Sequence, residues 1–193
     1  MLAYQSDSRY LRYYPWTQRT AEDVQAFVQR FIDWQDEQPR TRSQFAIVLR
    51  AGGRLIGSCG IRKETAGAQQ TDLGYEIAPS HWGHGYATEA ARAVLAFGFQ
   101  DLRLHRVWAS CVAENTASAQ VLEKLGMQRE GRLREHRWMK GRWWDTLVYG
   151  ILQHEWKTQQ GLARAADYPT GRRCNLAAMQ LQSPGVANRH EFC

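Results

Sequence analysis

Cysteine is scarce and scattered in this chain. Cys59, Cys111, Cys174 and Cys193 are the only four in 193 residues, and none forms a CxxC pair. That excludes a disulfide framework and a structural zinc site, so they read as reduced thiols. Long apolar runs are absent too: the longest, near Ala93 to Phe99, falls well short of the ~20 residues that span a bilayer. Met1 is not followed by a basic-then-apolar leader, so a soluble cytoplasmic chain with no membrane partner is expected. No charge of one sign is concentrated anywhere. The net charge is +6, but basic residues interleave with Glu and Asp, and the densest stretch, Arg129 to Arg142, also holds Glu130 and Glu135. This scatter disfavours nucleic acid as a partner, although it leaves long-range attraction for an anionic ligand. No internal repeat is visible, and the length fits one compact core.

What is present is a readable order of elements. Thr20 is placed to cap a helix over residues ~20–37, where Val24, Phe27, Val28, Phe31 and Ile32 recur at helical spacing. Two β-rich runs follow, Phe45 to Arg50 and Leu55 to Arg62, separated by the turn signal Gly52-Gly53. A third strand, Leu73 to Ala78, is closed by Pro79. An Ala-rich helix to about Gln100, a strand Arg106 to Val112 and a helix Thr116 to Leu125 come next, with Gly126 at the helix C′ position. Runs at ~127–138 and ~146–152 flank the turn Lys140-Gly141-Arg142. This order predicts an α+β fold: a mixed sheet with one βαβ crossover and flanking helices. The domain is expected over residues 1–157. From Thr158 the periodicity is lost, and 158–193 read as a poorly ordered tail.

The segment with the most chemistry runs from Trp82 through Gly83, His84, Gly85, Tyr86, Ala87 and Thr88 to Glu89, joining a strand end to a helix start. Glycine lets a ligand approach the backbone, and a helix N-terminus offers unpaired N–H groups at the positive end of its dipole. Phosphate or pyrophosphate suits such a place. A P-loop is excluded because no lysine is present. A dinucleotide-binding turn fits poorly, because Thr88 occupies the third glycine position and the preceding strands form a hairpin. His81-x-x-His84 lacks a third ligand at a suitable spacing, so no metal is assigned.

Three stretches then carry a family resemblance: Leu73-Gly74-Tyr75-Glu76-Ile77-Ala78-Pro79, the loop above, and Glu114-Asn115-Thr116-Ala117-Ser118 with Leu122-Glu123-Lys124-Leu125-Gly126-Met127. Together, over roughly residues 8–156, they resemble the GCN5-related N-acetyltransferases (GNAT), and within them the ribosomal-protein N-terminal acetyltransferases. The resemblance implies a mostly antiparallel sheet that splays open between the strands matched here by 73–78 and 106–112. It also implies acetyl-CoA as co-substrate and a protein N-terminus or small-molecule amine as acceptor. Carried over, the amides from Gly83 to Thr88, including those of His84, Gly85, Tyr86 and Ala87, would bind the pyrophosphate. Trp82 stands where many members have Gln or Arg. The backbone of Ile77 and Ala78 would pair with the pantetheine arm, and Asn115 would hold the arm from the other side or simply cap its helix.

Acetyl transfer needs a neutral amine, a stabilised oxyanion and a proton for the leaving thiolate. Glu76 and Glu135 are the candidate bases, against the alternative that each is an ordinary solvated or paired strand residue. Relatives often carry an acid where this chain has Arg137. Ser118 matches the position facing the sulfur and is the candidate proton donor, with Tyr149 a weaker one. A backbone N–H near Ile77 would meet the oxyanion. Tyr13, Tyr14 and Trp16 with Trp138, Trp143 and Trp144 offer an acceptor wall, or plain aromatic packing. Family members also place a strand ahead of the segment resembling Tyr10 to Trp16. Without it the edge of Phe45 to Arg50 is open, inviting a homodimer, strand exchange or capping by the tail, unless the gene starts upstream of Met1. An acetyl-CoA-binding module with little turnover is the alternative reading.

Overall fold

A computed structural model describes residues 1–165 and 174–178. The N-terminal segment makes three helices, α1 (Leu2–Gln5), α2 (Ser8–Leu11) and α3 (Ala21–Asp33), before the chain enters the sheet. The strands are β1 (Arg42–Leu49), β2 (Leu55–Arg62), β3 (Gln70–Ile77), β4 (Arg106–Val112), β5 (Gln128–Met139), β6 (Arg142–Leu152) and β7 (Cys174–Ala178). Helix α4 (Tyr86–Gln100) crosses from β3 to β4, α5 (Thr116–Lys124) leads to β5, and α6 (Gln153–Ala165) follows β6. The strand order is β5-β6-β4-β3-β2-β1-β7. Among the described residues only β3 and β4 run parallel; the other pairs are antiparallel. The fold is the mixed, open, crossover-containing sheet that the element order predicts.

Local chemistry explains the starts and stops. Thr20 caps α3 and Asp23 returns the bond to the Thr20 amide, a reciprocal capping box. Gly52 and Gly53 turn β1 into β2 with φ of 81° and 62°, a conformation other residues avoid. Strand alternation then sorts side chains between two layers. Ile47, Cys59, Ile61, Leu73 and Val107 pack with Ala91, Val94, Leu95 and Leu122 of α4 and α5 in the main core. On the opposite face Phe31 of α3 covers Ala46, while Tyr4, Tyr10 and Leu11 cover Ala78.

The C-terminal segment differs from the expected tail. Thr158 lies inside α6, where Trp156 stacks on Phe99 with ring centroids 5.8 Å apart and fixes the helix on the core. Past the undescribed residues 166–173, Cys174–Ala178 pairs antiparallel with β1 from Phe45 to Leu49. The edge expected to be open is therefore filled by the chain itself. The Cys174 amide donates to Glu89 Oε1 at 3.0 Å, tying β7 to the first turn of α4. The remainder of the expected tail, 179–193, lies outside the described residues. Among the described residues no helix is long and apolar enough to cross a membrane.

Ending the chain at Arg173 removes β7 and bares the β1 edge. A lower Tm, by several degrees for a loss of about 2 kcal/mol, and concentration-dependent association in sedimentation are the expected outcomes.

Candidate active site

The two strands that meet at the sheet centre stay together briefly. β3 and β4 pair over Gln70–Asp72 and Arg106–Trp108 and then separate. Each follows its antiparallel neighbour instead: β3 stays on β2 through Gly57↔Ile77, and β4 stays on β6 through Val112↔Thr146. The edge of β3 from Leu73 to Ile77 therefore faces a gap. The Ala78 amide turns the other way, donating to Ile56 O at 2.7 Å. Into the gap the Trp82 indole N–H donates to Ile77 O at 2.7 Å. An arm that pairs with Ile77 must share that carbonyl or move Trp82, which is 46% exposed.

Helix α4 begins beside this gap. Its N-cap is Gly85 at φ 82°, and among the described residues no side chain caps it. The first bond back to the cap runs from the Glu89 amide to Gly85 O at 3.0 Å. In contrast, Thr20 caps α3 and Asn115 caps α5 through side-chain oxygens. A Cβ at Gly83, which has φ 77°, would meet nothing within 4 Å. The Gly83–Thr88 turn thus keeps amides at a helix N-terminus without a side-chain cap among the described residues, which fits a diphosphate. His84 Nδ1 lies 2.7 Å from Trp82 O and His81 Nδ1 lies 2.9 Å from Ser80 Oγ, so each ring already has a local partner.

On the α4–α5 side of the gap stands a small polar group. Ser118, in the first turn of α5, donates its amide N–H to Asn115 Oδ1 at 3.2 Å. Its Oγ lies 2.9 Å from the Tyr75 hydroxyl, which also donates to Ser118 O at 3.0 Å. Burial raises the pKa of Tyr75 and of Cys111, so both keep their protons at neutral pH. Tyr75 is a partner that sequence reading missed. Strand alternation with Ile77 gave its face, but the serine it meets lies 43 residues away.

The two glutamates lie elsewhere. Glu76 points to the opposite face, is 8% exposed, and accepts from Tyr4 at 2.8 Å, Gln5 at 3.1 Å, Ser58 at 3.2 Å and Tyr10. Burial and the Glu76 charge both raise the Tyr4 and Tyr10 phenols, so they remain donors. Gln44 extends the network by donating to Ser58 Oγ at 3.1 Å. Glu135 is exposed in a bulge of β5 at φ 49°, its amide bonded to Asp145 Oδ1 at 2.8 Å. Ser118, Glu76 and Glu135 are thus not gathered into one cluster. Tyr149 donates to Glu123 at 3.1 Å. Of the aromatic wall, Tyr13 meets Trp144 edge-on at 6.1 Å, while Tyr14 stacks with both Tyr10 and Trp16. Trp138 and Trp143 sit together, exposed, on the other face of the hairpin.

The family described as Acetyltransferase (GNAT) domain matches residues 1–128. An uncharacterized N-acetyltransferase of Bacillus subtilis, YnaD, is 36% identical over 153 residues, covering 79% of this chain and 86% of that one. The crystal structure of a GNAT-family acetyltransferase from Bacillus anthracis superposes with a TM-score of 0.68 at 34% identity, covering 78% of this chain and 86% of that one. A Vibrio cholerae spermidine N-acetyltransferase, solved with CoA and spermine, shares the fold with a TM-score of 0.67 at 21% identity, over 80% and 89% of the two chains.

The Glu76 network gives a direct test. Glu76→Ala leaves four donors without an acceptor, and about 2–4 kcal/mol of stability should be lost in urea unfolding. Limited proteolysis should then cut within residues 1–16, which the wild type protects.

Proposed function

This chain belongs to the GNAT N-acetyltransferases, and from that membership we propose that it moves an acetyl group from acetyl-CoA to a primary amine by direct attack in a ternary complex. The observation that carries the reading is the pairing of an uncapped α4 N-terminus with the adjacent separation of β3 from β4. One feature without the other would serve neither end of a long, phosphorylated thioester.

In this reading the amides of Gly83, Gly85, Ala87 and Thr88 hold the diphosphate, and the free edge of β3 at Ile77 and Ala78 lines the pantetheine arm. Asn115 caps α5 with its oxygen and keeps its amide N–H₂ for the arm. The donor supplies a thioester whose carbonyl carbon accepts the amine. An N–H near Ile77 meets the charge that grows on the carbonyl oxygen. Tyr75 steadies Ser118, and the Ser118 hydroxyl gives its proton toward the departing sulfur, replacing it from solvent. Glu76 is fully occupied by donors and orders the floor of the amine side. Glu135 stands in solvent and takes the amine's proton, directly or through water; an α-amine titrates near ~8, so a fraction is already neutral at pH 7. Alignment supplies much of the rate, because a well-held pair reaches effective molarities of ~10⁵ M or more. A protein N-terminus, as in the ribosomal-protein subgroup, is one acceptor of this kind, and the reaction belongs in the cytoplasm.

Two variants separate binding from chemistry. Ala87→Trp fills the space before the α4 amides and should weaken acetyl-CoA binding at least about tenfold by calorimetry; unchanged affinity removes the diphosphate from this helix. Ser118→Ala should lower kcat about 100-fold while the acetyl-CoA Kd stays within about threefold. Equal turnover would end its role as donor.

A further inference from the structure

Carboxylates on the amine side of the sheet are nearly all engaged. Glu76 accepts four hydrogen bonds, Asp72 is held by Arg62 at 2.6 Å, Glu114 by Arg142 at 2.8 Å, and Glu130 by Arg106. The Arg62–Asp72 pair even has its own berth: a Cβ at Gly74 would lie 2.3 Å from Arg62 Nη2, so only glycine lets the guanidinium lie across β3. Polycations such as spermidine need several uncommitted carboxylates. Glu135 differs from these four in that, among the described residues, its carboxylate has neither an ion pair nor a side-chain donor, and it sits in a stretch where four arginines face two glutamates between 129 and 137.

One of those arginines reaches the gap. Arg137 on β5 is opposite Trp144 of β6, so its side chain lies on the amine face. It crosses β6 and brings Nη2 to 3.4 Å from Ser110 Oγ on β4, the wall of the gap. It is exposed and makes no ion pair among the described residues. Its charge is felt by the Cys111 thiol one residue further along, where it opposes the upward shift caused by burial. Trp144, opposite Arg137 in the ladder, has Tyr13 edge-on at 6.1 Å and the Arg142 guanidinium over its ring at 3.4 Å. Among the described residues the 3.4 Å bond to Ser110 is the one hydrogen bond this fork makes, which leaves donors for a ligand.

We propose that Arg137 reads a carboxylate on the acceptor, so that the amine acetylated is one bearing an acidic group near its nitrogen rather than a polyamine. This rests on the acetyl-transfer reading above. Guanidinium and carboxylate match as a two-pronged pair, giving both affinity and orientation. The surrounding positive charge rejects a polycation by repulsion, which sharpens the choice. A free acidic amino acid and a peptide with acidic first residues present the same group.

The test uses the full chain with acetyl-CoA and four kinds of acceptor: free glutamate and aspartate, tetrapeptides beginning with Glu or Asp, the same compounds with every carboxylate amidated, and spermidine. Thiol release gives kcat/KM for each, and calorimetry gives the acetyl-CoA Kd separately. Wild type should favour a carboxylate-bearing amine over its amide by at least about tenfold, mainly through KM. Arg137→Gln should erase that preference, and Arg137→Glu should shift it toward spermidine, both with acetyl-CoA affinity within about twofold of wild type. Preference for the free amino acid assigns the carboxylate to a small molecule, and preference for the tetrapeptide assigns it to an acidic peptide. Spermidine as the best wild-type acceptor, or a carboxylate preference that survives Arg137→Gln, overturns the inference while leaving acetyl transfer intact. Failure of the wild type to bind acetyl-CoA at all overturns the acetyl-transfer reading and this inference with it.

Discussion

The parting of β3 from β4 is the constraint on which the rest of this molecule depends. A parallel pair that continued to the strand ends would bury its amides and carbonyls in a closed sheet, leaving no place for an extended ligand. Three residues of pairing hold the sheet together, and then each strand keeps faith with its antiparallel neighbour. The resulting opening has backbone polar groups along one side, an uncapped helix start at its mouth, and a serine–tyrosine pair on its flank. Antiparallel ladders on both sides hold the two strands apart, so the gap is built by the sheet's own hydrogen bonding.

Glu76 plays the complementary part on the other face. A buried carboxylate is costly unless its lone pairs are filled, and here donors from Tyr4, Gln5, Tyr10 and Ser58 fill them. Three of those donors come from the first ten residues, so a single side chain of β3 organises the N-terminal segment. β7 does a similar service at the far edge, pairing with β1 and binding Glu89, which lies in the turn of α4 next to the proposed diphosphate site. Both ends of the described chain are thereby fastened to the two elements that frame the opening.

What the sequence made legible was local. Thr20 with Asp23, Gly52-Gly53, Gly85 and Gly126 act through their own backbone or one helical turn, and the elements they bound were found within a few residues. Helices α1 and α2 have four residues each, too few for a periodic pattern, and they exist because Tyr4 and Tyr10 are held by a carboxylate some seventy residues away. β7 was hidden for the same reason: its pairing with β1 spans most of the chain, and Gly and Pro around it masked the pattern. The loop at Gly83–Gly85 and Asn115 as cap were foreseeable from residue type and position, and Ser118 was singled out by the family resemblance, whereas Tyr75 beside Ser118 needed the fold. Glu76 and Glu135 were nominated by residue type and strand position alone, which do not reveal how many donors a carboxylate already holds.

The most direct measurement is a pair of amide-resolved NMR titrations of the labelled chain, one with CoA and one with pantetheine, which lacks the diphosphate. Large shifts at Gly83, Gly85, Ala87 and Thr88 with CoA and none there with pantetheine are the result this account predicts. Equal responses to both ligands, or CoA-induced shifts confined to residues away from the start of α4, would contradict it.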